Sequence, residues 1–149
     1  MDFKIPKALK AEHKELHDEL VKLTALPGGV GEAARQVAAL LHPHFVREEE
    51  YALPPLGLLA ALAEGTVTAA MAKVTELTDR LRADLPHMLD EHREVVGALR
   101  RLADVAKQER KPGAAAFADK LRLHAETEEQ VLYPAAILVG EYVKARLGR

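Results

Sequence analysis

The sequence predicts an all-α chain folded as one up-down-up-down antiparallel four-helix bundle with a long, kinked third helix. Three observations predict it. The 149 residues are dominated by Ala, Leu, Glu, Lys and Arg, with little strand punctuation, which is helical composition. Four long segments carry apolar residues at helical spacing. Short breakers with modest connections separate them, which favours antiparallel neighbours. The length suits a single domain, 1–149, with room for a real core.

The first helix runs from near Pro6, which suits a first helical turn, to Ala25, with Ile5, Leu9, Leu16, Leu20 and Leu23 on its stripe. PGGVG at 27–31 breaks it. The second helix spans Glu32 to Leu53; Pro43 either kinks it or marks a later start, and Pro54-Pro55 end it. LGLLAALAEG follows as an apolar link with room for one short helix. Thr66 or Thr68 caps the third helix, which extends to Lys107 through Pro86, with Val74, Leu77, Leu81, Leu85, Met88, Val95, Leu99 and Leu102 on one face. Lys111-Pro112-Gly113 precedes the fourth helix, which begins near Ala114 and either stops at Pro134 or kinks there and continues.

The stretch LRLHAETEEQVLYP (121–134) holds the main clue to function. Each helical residue turns about 100°, so Phe117, Leu121, His124, Glu128 and Val131 fall within about 40° of one direction. A histidine and a carboxylate thus stand one turn apart inside an apolar stripe, where they cost several kcal/mol unless partnered or metal-bound. LHPHFVREEEYALPPL repeats the pattern: His44 and Glu48 lie within about 20° of the face set by Val37, Leu41 and Tyr51. His92 lies equally close to its face centre, and His13 sits roughly 55° from the first stripe. Phase therefore collects His13, His44, Glu48, His92, His124 and Glu128, at least one from each helix. His17, roughly 95° off the stripe, is either a fifth imidazole or an edge residue. His42 and His87 point outward; the latter begins a third HxxxE with Glu91 that phase removes. Glu49, Glu50, Glu91 and Glu129 belong to exposed faces or stand behind the inward groups, as does Glu12. Tyr51 and Tyr133 read as packing residues.

Composition narrows the chemistry. Cysteine and serine are absent, which excludes disulfides, thiolate sites and Ser or Cys nucleophiles. A net charge of −2, with no basic patch and no acidic tail, gives nothing that argues for nucleic acid or an anionic membrane, and neither is expected as a partner. MDFKIPKALK has no apolar signal core and the longest apolar run, 53–63, is too short and Pro-interrupted to span a bilayer, so a cytoplasmic protein is expected. Imidazoles and carboxylates suit iron, manganese or zinc. Four imidazoles with two carboxylates exceed one tetrahedral zinc and suit two metals, each with two imidazoles, both bridged by Glu48 and Glu128. A shared oxo, hydroxo or water would leave room for an exogenous ligand.

AEHKEL, HFVREEEYALPP, DEHREV and HAETEEQVLYP, together spanning His13 to Pro134, resemble the hemerythrin-like, or HHE cation-binding, domain. The resemblance implies two non-haem iron ions, oxo- or hydroxo-bridged, held by His13, His44, Glu48, His92, His124 and Glu128. Oxygen-carrying hemerythrins have a second histidine on the third helix and a fifth imidazole. Here Met88 and Val96 flank His92 at that spacing, so the chain stands nearer bacterial HHE domains with four His and two Glu, unless His17 supplies the fifth. The expected activity is binding or sensing of O2 or NO. The alternatives are peroxide breakdown, NO reduction or oxygen activation by the same scaffold, iron donation or buffering, and a metal-free helical adaptor. No ExxH occurs, so the carboxylate-rich ferritin-like pattern is missing. Residues 56–84 exceed the family's usual link; a cover over one end of the bundle would account for them.

Overall fold

The computed structural model describes residues 3–148. Six α-helices carry the fold: α1 (Lys7–Thr24), α2 (Gly28–Arg47), α3 (Leu59–Ala63), α4 (Val74–Gln108), α5 (Pro112–Thr127) and α6 (Tyr133–Leu147). Two π-helical turns, Glu48–Ala52 and Glu128–Leu132, extend α2 and join α5 to α6. No strand occurs among the described residues. The bundle is closed in a ring: α2 packs on α1 and α4, and α5 packs on α4 and α1.

The chain does break at PGGVG, since α1 ends at Thr24 and Pro27 precedes α2, but its glycines already belong to the second helix. Gly28 takes φ +76, a left-handed turn that favours glycine, and α2 begins there instead of at Glu32. Helix N-termini present unsatisfied N–H groups. Here Gly29 and Val30 donate theirs to the Glu109 carboxylate at 3.1 and 3.0 Å, from the far end of α4. Pro43 and Pro86 both lie inside continuous helices. The fourth rod does not stop at Pro134, which occupies the first turn of α6, where its missing N–H costs nothing.

The core has two apolar layers. One gathers Leu16, Leu20, Val37, Leu41, Val95, Leu99, Phe117 and Leu121; the other gathers Tyr51, Leu53, Leu81, Met88, Tyr133 and Ala136. Each buried aliphatic contributes about 2 kcal/mol, and along every rod the inward polar residues fall between these layers.

The link after α2 forms a cap. Leu58, Leu62, Met71 and Val74 pack on Val139 and Val143 of α6, with Phe3 and Leu147 at the edge. Thr68 precedes a short 3-10 turn, Ala69–Lys73, and α4 starts only at Val74. Where α6 crosses α4, only glycine fits: a Cβ at Gly140 would lie 1.9 Å from Thr78 Oγ1. Gly140→Ala should therefore lose about 2 kcal/mol and lower Tm by roughly 6 °C. Gly113→Ala, whose Cβ would meet nothing within 4 Å, should not lower it; thermal unfolding of the two variants checks this.

Both π turns have the same origin. His44 and His124 are each followed by a glutamate one turn on, a second glutamate, and a proline ten residues after the histidine. A proline inside a helix cannot donate its N–H and crowds the carbonyl four residues before it. The chain widens instead: Leu53 N–H donates to Glu48 O at 2.9 Å, and Tyr133 N–H to Glu128 O. The extra residue shifts the helical phase. Val131, placed on the inward stripe by uninterrupted α-periodicity, is 55% exposed, and Tyr133 takes the interior position at 0%.

Candidate metal centre

His13, His44, Glu48, His92, His124 and Glu128 are all buried, at 0 to 7% exposure, in one layer of the bundle. Their ligand atoms form two groups whose members lie within 4.8 Å of one another: His44, Glu48, His92 and Glu128; and His13, His124 and Glu128. Glu128 belongs to both. Its Oε1 is 3.3 Å from His92 Nε2, and its Oε2 is 3.2 Å from His124 Nε2 and 3.5 Å from His13 Nε2. Glu48 belongs to one, with Oε1 3.2 Å from His44 Nε2. Glu128 is thus common to the two groups, whereas Glu48 is a member of one.

His17 is not in the cluster. It is exposed and lines a groove of about 460 Å³ between α1 and α2 with Lys7, Lys10, Lys14 and His42; the groove reaches inward to His13 and Phe45. The roughly 95° offset of its helical phase carried it to the surface. His42 is exposed and the His87 side chain is 63% exposed, as phase requires.

Each inward imidazole has a carboxylate behind it from the neighbouring rod. Glu91 of α4 accepts from His44 Nδ1 at 3.1 Å. Glu129, after α5, accepts from His92 Nδ1 at 3.0 Å. Glu12 of α1 accepts from His124 Nδ1. Glu49, after α2, stands 3.6 Å from His13 Nδ1. Every one of these acids is adjacent in sequence to an inward residue, in the dipeptides Glu12-His13, Glu48-Glu49, Glu91-His92 and Glu128-Glu129. The bracing thus circulates around the bundle. The three hydrogen-bonded partners, Glu91, Glu129 and Glu12, fix the tautomer and aim the other nitrogen inward.

The donor count of the interior fits cations. With Nδ1–H given to Glu91 and Glu129, the Nε2 atoms of His44 and His92 carry bare lone pairs, yet they face each other at 2.8 Å. His13 Nδ1 and Nε2, Glu48 Oε1, His124 Nε2 and Glu128 Oε2 are buried with no hydrogen-bond partner among the described residues. So many orphaned buried polar atoms, most of them acceptors, would cost several kcal/mol each, and positive ions between the acceptors remove that cost. Charge follows the same logic. Burial, with His92 beside it, pushes His44 down to about 3, keeping it neutral. Burial and the adjacent Glu128 carboxylate push Glu48 well up. Burial acts upward on Glu128 too, but the adjacent Glu48 carboxyl and the surrounding imidazoles of His124, His13 and His92 outweigh it and hold that carboxyl well below its usual range. Burial opposes protonation of His124, but Glu128 and Glu12 prevail and raise it.

The hemerythrin HHE cation-binding domain model matches residues 4–136. The chain belongs to that family. No curated protein and no solved structure matches it. In this HHE domain, then, a cation-binding fold surrounds two groups of residues that could hold metal ions. No helix among the described residues is long and apolar enough to cross a membrane.

Sequence reasoning missed Tyr133. Its hydroxyl donates to Glu48 Oε2 at 2.9 Å and stands 3.2 Å from His44 Nε2 and 3.1 Å from His92 Nε2. The twice-repeated His-to-Pro spacing was the available signal. Tyr51 is the packing residue it was read as: its ring lies under Arg80 and its hydroxyl donates to Asp84.

The bracing acids yield a prediction. Glu91→Ala should weaken metal binding ten- to a hundredfold, because the His44 ring loses its orienting partner. His87→Ala, one turn away and outside the cluster, should leave affinity unchanged. Competition with a chromophoric chelator measures both.

Proposed function

We propose that this HHE domain holds a non-haem di-iron centre and binds a small diatomic ligand, O2 or NO, at it. The carrying observation is the convergence of four imidazoles and two carboxylates on one buried spot with more acceptors than protons to fill them. Glu128 would touch both metals, His44, His92 and Glu48 one of them, and His13 and His124 the other. Imidazole and carboxylate donors suit iron. When bound, the iron pair supplies a redox-active Lewis acid at which a diatomic molecule can coordinate.

The chain's own residues do the rest. Glu91, Glu129 and Glu12 aim three of the imidazoles by hydrogen bonds, and Glu49 stands behind the fourth. The two apolar layers exclude water above and below. The groove between α1 and α2 brings solvent-borne molecules to the His13 side, where Phe45 stacks on the imidazole at 4.1 Å.

The test is metal content and absorption of protein purified from iron-rich medium. About two irons per chain with the bands of a bridged ferric pair are expected. Fewer than one, or a spectrum unchanged in a His44→Ala/Glu48→Ala variant, would overturn the reading. Stopped-flow mixing with O2, NO and peroxide then separates reversible binding from turnover, the second outcome assigning an enzyme on the same site.

A further inference from the structure

Tyr133 is the one phenol that enters the polar layer. It is 0% exposed, tilted against the His92 ring at 5.6 Å. Its oxygen has three acceptors within hydrogen-bond reach: Glu48 Oε2 at 2.9 Å, His92 Nε2 at 3.1 Å and His44 Nε2 at 3.2 Å. A phenol has a single proton and can serve only one of them. The other two, whose outer nitrogens are already committed to Glu91 and Glu129, gain nothing from a protonated hydroxyl beside their lone pairs.

The same distances make sense around a metal. Donor atoms that share one ion at about 2 Å stand ~3 Å from each other. His44 Nε2 and His92 Nε2 are 2.8 Å apart, and His44 Nε2 and Glu48 Oε1 3.2 Å. The phenol oxygen continues this set at the same spacing, as a further vertex rather than as a residue behind a ligand. The π turn puts it there, since an α-helical turn after Glu128 would have aimed residue 131 or 132 inward instead.

From this geometry we infer that Tyr133 is a direct ligand of the metal shared by His44, His92 and Glu48. The inference rests on the metal-centre reading above and makes the two positions chemically unlike: one carries a phenolate, the other only imidazole and carboxylate. Binding displaces the phenol proton to the buffer, the metal–oxygen bond replaces the O–H bond, and no electron changes hands.

The chain contains three tyrosines, at positions 51, 133 and 142, which makes the test clean. Metal-free full-length protein is titrated with gallium(III), which is colourless and redox-inert, and followed by ultraviolet difference spectroscopy for ionised tyrosine. Iron-loaded protein is examined in parallel for a phenolate-to-iron charge-transfer band and phenolate ring modes in resonance Raman. One tyrosinate signal per chain is expected, and it should persist in Tyr51→Phe/Tyr142→Phe, where Tyr133 alone remains. Tyr133→Phe should lose it while still binding metal. Metal bound with no tyrosinate signal would overturn the proposal and leave the metal centre standing. No metal bound by the unaltered chain would overturn both.

Discussion

Glu128→Ala is expected to empty both metal positions together. Glu128 is the one carboxylate common to the two groups of ligand atoms, and its two oxygens face three imidazole nitrogens at 3.2 to 3.5 Å. Losing it removes a donor atom from each group and leaves three buried nitrogens without an anionic partner. Iron per chain should fall from about two to near zero. The metal-free protein should also lose ~3 kcal/mol, the usual consequence of breaking a buried charged cluster from one side, and roughly 9 °C in Tm. Glu128→Gln, which keeps the volume, should show the same loss of metal with a smaller loss of stability. Glu50→Ala, on an exposed carboxylate, should change neither. Metal analysis and thermal unfolding of the three variants read these effects separately. Retention of both metals in Glu128→Ala would mean that the carboxylate does not join the two positions.

Deleting Gln130 should be worse for the fold than any substitution. Gln130 is exposed and lies inside the second π turn. Removing it would return the backbone to α phase and rotate everything beyond by about 100°. Tyr133, Ala136, Val139 and Val143, now buried at 0 to 3%, would leave the core, while Leu138, now 65% exposed, would be carried round with them. The lost burial amounts to about 5 kcal/mol or more, comparable to the whole stability of a typical domain. The expected result is an insoluble or non-cooperatively unfolding protein. Gln130→Ala, which keeps the residue count, should unfold within about 1 kcal/mol of the parent. A soluble, cooperative deletion variant would show that the wide turn is dispensable.

Periodicity and phase were enough to find the four rods and the six inward polar groups, because both follow from a single repeat that tertiary packing leaves intact. His13 and His92 came out of that repeat although neither belongs to an inward HxxxE pair. What escaped it depends on contacts between rods or on departures from the repeat. The start of α2 at Gly28 is set by Glu109, 79 and 80 residues away in sequence from the amides it accepts from. Tyr133 was hidden by the π turn, whose extra residue put Val131 where solvent is. The bracing role of Glu12, Glu49, Glu91 and Glu129 needed the order of rods around the bundle, which a linear pattern does not contain. Their position beside an inward residue was visible but had no direction attached.

That circulation of acids decides how much of the molecule is needed to make a working centre. The hairpin of α1 and α2 contains Glu49 for His13, but His44 waits for Glu91 from the other half. The hairpin of α4 and α5 contains Glu129 for His92, but His124 waits for Glu12. Neither half steadies all of its own rings, and each group that could hold a metal draws donors from both. Metal capture should therefore be a late event that certifies the docking of the two hairpins, and a separately expressed half should bind iron no better than an unstructured histidine-rich peptide.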